Sequence, residues 1–385
     1  MTIVTITHNP IATVRQQYYQ DWKVDNYSHR LTATIGFDTC SFDLKGSIEE
    51  LEDFFYNGLG RMITRWSDDG NLVCWQGQIV EMTLTQPGSQ EVISLREMFN
   101  RISVRYTPID TSVNPPTESA ETSTAVVNDT VSQGKYGVKQ IVVRPSHVDR
   151  MTATAAAETG TVLLEQYKEP RRKGQITTAS AEPKLSIQSE GYMHTLGWAI
   201  YNQTGSSGQS ANEVVIDAIL ASSPAGQYVA SRNTSATTGR SSQNYYNRDD
   251  TALDIIQQIA ARGDSADNRW LCAMYENRRV TFAQAYDIND NVVDYVRRKS
   301  DVRQEIRDLS GKLIRPWELR PNKWIKTVDL HGWKPTPLTH PEDYQSKYIE
   351  SVSWSEPDNL NIEGSPGDNL QVLVARMAYR GDRML

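Results

Sequence analysis

Apolar positions in residues 249–283 first recur at helical spacing and then run on as strands, and the rest of the chain is read around this change of period. Leu253, Ile256, Ile259 and Ala260 fall on one helical face. Thr251, with Asp254 three residues on, predicts the helix start, and Gly263 predicts its stop. Residues 270–275 are then continuously apolar, 276–278 can turn, and 280–283 return with β-branched and aromatic side chains, which predicts a hairpin. A lone hairpin is marginal in water, so this unit must rest on a larger sheet.

The same patterning predicts strands at 31–37 and 73–84, with Asp68-Asp69-Gly70-Asn71 turning before the second. Between them Ser47 and Glu50 form a capping box for a helix with the stripe Ile48, Leu51, Phe54, Phe55 and Leu59, loosened at its end by Gly58 and Gly60. Trp75, Gly77 and Ile79 stand two apart on one strand face, where Gly77 leaves room for a neighbouring side chain. Residues 110–132, with Pro115-Pro116 and many Ser, Thr and Glu, read as a linker that is either mobile or docked on a partner.

Beyond it, 135–143 reads as a strand and 146–168 as an Ala-rich helix capped by Ser146 with Asp149 at the third position. The charge run at 169–174 suits that helix's C-terminal dipole better than a binding patch. Strands follow at 184–188 and 192–201 around a Glu190-Gly191 turn. A helix capped by Ser210 and Glu213 then reaches Ala221, and 222–248 is loop-like. Residues 287–300 are ambiguous. Residues 324–330, 348–355 and 370–379 read as strands separated by Pro-rich joints. Single helices set among many strands predict a mainly β fold with helical insertions, in the α+β class.

The chain has 385 residues, enough for two or three domains. Nine Trp and eighteen Tyr stand against six Phe, a balance that serves either wet interfaces or β-rich cores. A net charge of -7 argues against bulk attraction to nucleic acid or an anionic membrane. Cys40, Cys74 and Cys272 read as buried apolar residues of a reducing compartment. The first residues do not read as a signal peptide, and no run is long enough to span a bilayer, so no membrane insertion is expected.

Catalytic signatures are missing from the sequence. The six His, at 8, 29, 147, 194, 331 and 340, make no H-E-x-x-H and no Cys–His metal spacing, and there is no P-loop, G-x-S-x-G or G-x-G-x-x-G. Asp287, Asn289 and Asn291 start like a calcium loop, but Val292 replaces the required Gly and Arg298 the required Glu. Asp264 and Asp267 could belong to a carboxylate pair, yet solvated or structural roles fit them better. No residue is singled out as catalytic, cofactor-binding or metal-ligating, and no cofactor is expected.

Several stretches together resemble a known family. They are the W-x-G-x-I strand Trp75-Gln76-Gly77-Gln78-Ile79, the strand-then-helix run from Gly134 through Leu163-Leu164-Glu165-Gln166-Tyr167, and Gly191 to Trp198. The most similar are residues 212–220 and 251–282, with Ala260-Ala261-Arg262-Gly263-Asp264. Over residues 30–285 the chain resembles the hub proteins of bacteriophage tail tips and baseplates. The resemblance implies two barrel-like β domains with inserted helices. An N-terminal barrel-like domain would span 1–110, and a linker with a strand–helix insertion 111–175. Strands returning to the first barrel and a second barrel-like domain would occupy 176–330, and a C-terminal β segment 331–385.

It also implies a homotrimeric ring and channel at the tail tip of the virion, assembled in the host cytoplasm. Its partners would be a distal-tail or tail-tube ring, the tape-measure protein, and tail-fibre or spike proteins, with phage DNA passing through the channel without specific binding. The alternatives are a distal tail protein, a host-glycan-binding tail adhesin and, further off, a cell-wall hydrolase.

Overall fold

The computed structural model describes residues 3–13, 23–145, 150–176, 182–203, 209–243, 245, 248–285, 294–298, 305–328, 345–357 and 359–365. The fold is mostly β, with helices set between strands, and its largest sheet curls into a half-barrel. The N-terminal part contributes β1 (Ile3–Thr7), β2 (Lys23–Thr32), β3 (Gly36–Lys45), α1 (Ile48–Asn57), β4 (Met62–Trp66), β5 (Val73–Gln86) and β6 (Ser89–Ser94). The capping box of α1 is present in both directions, and the helix buries Leu51, Phe54 and Phe55 completely. A single strand expected at 31–37 is instead a hairpin corner. The Ala33 amide bonds Glu350 O and the Met274 amide bonds Ile35 O, so the turn buries Ala33 and Ile35 while Thr34 between them is exposed. Gly36 makes it possible, because at φ +87 a Cβ there would lie 2.2 Å from Met274 O.

The inserted part is organised on β7 (Arg101–Asp110). Three short strands, β8 (Thr117–Glu118), β9 (Thr122–Ser123) and β10 (Val127–Asn128), pair antiparallel along it. The expected linker thus docks on a strand of its own chain. Next come α2 (Thr130–Tyr136), β11 (Gln140–Val143), β12 (Arg150–Met151) and α3 (Ala153–Tyr167), with β11 and β12 parallel to β7. The strand expected at 135–143 therefore begins as helix and turns at Gly137, whose φ is +84. The helix expected from Ser146 is capped by Thr152, which accepts from the Ala155 amide; Ser146 and Asp149 lie outside the described residues. Small residues let α3 approach β7 closely: a Cβ on Gly160 would sit 3.5 Å from Val104.

The chain returns through β13 (Arg171–Ile176), an exposed strand on β6, and β14 (Lys184–Gly191), which pairs antiparallel with both β3 and β5. The strand expected at 192–201 is a 3-10 helix over Tyr192–Trp198. Tyr192, Met193, Leu196 and Trp198 are all buried, so the apolar run has no polar face from which to read a period. Then follow β15 (Gln209–Ala211), α4 (Asn212–Ala221), β16 (Ser231–Asn233) and β17 (Ser241–Gln243). Ser210 does not cap α4; it pairs within β15, and Glu213 accepts instead from the Thr238 amide and hydroxyl.

The hinge of the sequence reading is as expected. Thr251 caps α5 (Ala252–Arg262) by accepting from the Asp254 amide, and Gly263 ends it at φ +67. The hairpin of β18 (Trp270–Tyr275) and β19 (Arg279–Gln284) follows, packed at Met274 beside β3. The buried stripe of α5 is rotated slightly from the expected one: Ile255 is buried, whereas Leu253 is partly exposed. The final strands are β20 (Tyr295–Arg298), β21 (Ile306–Asp308), β22 (Leu313–Ile314), β23 (Trp324–Val328), β24 (Gln345–Ser355) and β25 (Asn359–Ser365). They surround a small core of Tyr295, Ile306, Leu319, Ile325, Ile349 and Val352. Residues 370–379 and positions 287–293 of the rejected calcium loop lie outside the described residues, whereas its last position, Arg298, ends β20.

The half-barrel runs β1-β4-β5-β14-β3-β2-β24, joining strands from both ends of the chain. Register shifts in β2, in β14 and between β4 and β5 supply the bends that curl it. Trp75, Trp198, Trp270, Trp324 and Trp354 are buried, which decides for the core reading of those aromatics. All three cysteines are free and buried.

Candidate functional site

Four of the five stretches that carry the sequence resemblance meet in one core; the strand–helix run 134–167 packs instead on β7, with Ala156 against Val104 and Tyr106. Trp75 and Ile79 on β5, Tyr192 to Trp198, Ile216 and Ile219 of α4, and Ile256, Ile259 and Ala260 of α5 belong to a single cluster. Glycines set the spacing between the strands beneath it. A Cβ on Gly77 would lie 2.2 Å from Glu190 O, and one on Gly191 would lie 1.8 Å from Phe37 O. Gly77 makes room, as expected, for a neighbouring side chain, the Trp75 ring at 2.4 Å from where its Cβ would stand, and also for the backbone of β14. Gly137 is similarly constrained, with Tyr228 Oη 2.7 Å from where its Cβ would stand.

The two acids after α5 are structural. Asp264 accepts from the amides of Ala266 and Asn268, from Asn268 Nδ2 at 3.1 Å and from Trp270 Nε1 at 3.0 Å. Burial pushes its carboxyl up, but the bonds from Trp270, Asn268 and Ala266 outweigh this and hold it below the usual carboxylate range. Asp267 accepts from Arg240 at 2.6 Å. Both side chains close the corner between helix and hairpin, and the geometry does not offer them as an acid–base pair.

An open cleft of about 660 Å³ crosses β24, β2, β3 and β14. Ser28 and Ser41, cross-strand partners on β2 and β3, line it with hydroxyls 2.8 Å apart. Arg30 and Arg96 flank it, and each is neutralised, Arg30 by Asp38 and Glu363 and Arg96 by Glu81 and Glu190. His194 Nε2 is 2.8 Å from Asp38. His29, also on the cleft, is buried; burial, with Arg320 and Arg65, brings its imidazole down to about 3, so it stays neutral. This polar, charge-balanced surface suits protein contact better than capture of an ion. The sequence did not mark Asp38 and His194 as neighbours, since 156 residues separate them.

Among the described residues there is no group of three His, Cys, Asp or Glu able to hold a metal ion. Burial raises the thiols of Cys40 and Cys272 to about 12 and that of Cys74 to about 11, so they remain protonated. Among the described residues, no helix is long and apolar enough to cross a membrane.

The inserted sheet is tied to the body by charge and hydrogen bonds. Arg105 of β7, buried, pairs with Asp249 and Glu121, and Asp249 also meets Arg144. Asn9 Nδ2 donates to Tyr228 Oη, which donates to Tyr136 O, so the N-terminal segment clasps α2. Lys139, beside β11, donates to the carbonyls of Leu95 and Arg96 where the chain leaves the half-barrel.

No known protein-family profile matches the chain, and no curated protein is similar to it in sequence. Among solved structures it is similar to a tail protein from Neisseria meningitidis, at 8% identity over 94% of both chains with a TM-score of 0.37. It is similar also to a 43 kDa tail protein of prophage MuSo2 from Shewanella oneidensis, at 10% identity over 94% of this chain and 97% of that one, TM-score 0.36. A third is an E. coli component of the type VI secretion system, described as structurally similar to bacteriophage T4 tail proteins. Identity there is 10%, over 96% of this chain and 78% of that one, with a TM-score of 0.34.

Proposed function

We propose that the chain is a structural component of a phage tail or tail-like machine, and more narrowly a trimeric hub that joins the tube to distal fibres or a spike. The observation that carries this reading is the convergence of four of the five resemblance-bearing stretches on one core. Trp75, Gly77 and Ile79, the turn at Gly191, and helices α4 and α5 form one packed unit in which glycines fix the strand spacing. Stretches scattered between residues 75 and 282 have no local reason to share a core, so their meeting supports reading them as one inherited design. In this reading the N-terminal barrel-like unit, the insertion and the second barrel-like unit keep the boundaries expected from the sequence, and the chain acts by assembly, not by catalysis. The charge-balanced cleft over β24, β2, β3 and β14 fits contact with protein neighbours.

Light scattering on the purified chain, alone and mixed with the tail-tube or distal-tail protein of the same particle, tests the reading. A trimer, or a monomer that trimerises on that partner, is expected. A hexamer would favour the distal tail protein, and a monomer indifferent to tail proteins would refute both.

A further inference from the structure

All six residues of β13, Arg171 to Ile176, are exposed, and among the described strands β13 pairs with β6 alone. The direction of its backbone groups follows from its neighbours. The Leu95 amide bonds Val80 O on β5, and along an antiparallel strand successive residues face one neighbour and then the other. Ser89, Glu91 and Ile93 therefore face β5. Gln90, Val92 and Ser94 face β13, where their partners are Gln175, Lys173 and Arg171. The amides and carbonyls of Arg172, Gly174 and Ile176 are left pointing away from the sheet.

Free edges are commonly guarded by Pro, by a bulge or by charged side chains standing in the way. β13 contains no Pro, and its register with β6 runs without a shift. Its cations lie back on the body of the protein. Arg171 sits 4.1 Å over the Tyr167 ring and donates to Gln166 O at the end of α3, as the dipole reading of this charge run expects. Arg172 sits 4.7 Å over the Tyr56 ring, and Lys173 pairs with Glu97 at 2.6 Å. Among the described residues neither Arg171 nor Arg172 meets a carboxylate at ion-pair distance, so the strand keeps an excess of positive charge. Ile176, at its end, is 94% exposed.

We propose that the outer edge of β13 takes up an extended, acidic segment of another protein as an added strand. Its backbone bonds to the outward amides and carbonyls of Arg172, Gly174 and Ile176, and its carboxylates lie beside Arg171 and Arg172. The β13 of a second copy does not fit, because two such strands would set Arg and Lys against one another, and like charges across a strand pair repel. The inference rests on the chain acting by assembly but not on a trimer, so its failure in the test below would leave the light-scattering result standing.

The probe is a short fluorescent peptide alternating glutamate with valine, added to the full chain and followed by anisotropy. Gly174→Pro removes one outward amide and leaves the bonds to β6 in place, so it should fold and bind the peptide about tenfold or more weakly. Gly174→Ala keeps the amide and places its Cβ no nearer than 3.6 Å to any neighbour, so it should bind like the wild type. Should Gly174→Pro not fold, Arg172→Glu is expected to weaken binding severalfold and to favour the same peptide carrying lysine for glutamate. Hydrogen exchange with the wild-type chain gives the direct readout. With peptide bound, the amides of Arg172, Gly174 and Ile176 should slow, while those of Lys173 and Gln175, already facing β6, should change little. An acidic peptide that does not bind overturns the proposal. So does equal binding by Gly174→Pro, which would mean that charge acts without strand pairing.

Discussion

Replacing Lys139 with Met should change how stability varies with pH. Lys139 is 8% exposed, with Nζ 2.5 Å from Leu95 O and 2.9 Å from Arg96 O and the Phe99 and Trp198 rings 5.5 and 5.3 Å away. Burial lowers its pKa from 10.5 to about 8; Arg96 adds to the drop and Glu190 opposes it. At about 1.4 kcal/mol per pH unit, a drop of that size is worth roughly 3 kcal/mol. The folded pKa is depressed, so between pH 8 and 10.5 the unfolded chain holds a proton that the folded chain has released. The contribution to stability is therefore complete above 10.5 and is lost as the pH falls through about 8.

Methionine does not titrate, so the wild type should gain up to about 3 kcal/mol relative to Lys139→Met as the pH rises across that window. Losing the two bonds to carbonyls adds an offset of about 1 kcal/mol each that does not vary with pH. Urea unfolding of both proteins, followed by Trp fluorescence from pH 7 to 10.5, gives the difference directly. Buried tyrosines and cysteines titrate in this range only once unfolded, and this affects both proteins alike and cancels. A difference that is flat across the window would refute the reasoning.

Gly77→Ala should cost about 3 kcal/mol in the same unfolding assay, because its Cβ would meet Glu190 O at 2.2 Å and the Trp75 ring at 2.4 Å, whereas Gly197→Ala, with its nearest contact at 3.6 Å, should cost well under half of that. Thr251→Ala removes the cap of α5 and should cost about 1 kcal/mol, with Thr251→Ser restoring most of it. Arg269 makes a paired contact with Glu350, at 2.5 and 2.8 Å, that joins β18 to β24; Arg269→Met should cost about 3 kcal/mol and speed proteolysis of the closing strands.

The sequence was most legible where structure is set locally. The capping box at Ser47 and Glu50 and the Thr251 cap were readable because donor and acceptor lie three residues apart. Legibility failed where burial is complete or partners are distant. Five of the seven residues 192–198 are buried, so a 3-10 helix looked like a strand. The corner at 33–36 buries Ala33 and Ile35 because Glu350 and Met274 cover it from far along the chain. Ser146 looked like a cap because its neighbours fit the pattern, yet Thr152 caps the helix. Arg65 packs among the rings of Tyr27, Trp317 and Trp354, and no window of sequence could bring those together.

The most direct test of the central claim is a cryo-electron microscopy reconstruction of the tail tip of the particle that encodes this chain. Three copies in a closed ring at the end of the tube are the expected result. Six copies, or a mature particle lacking the chain, would contradict the hub reading.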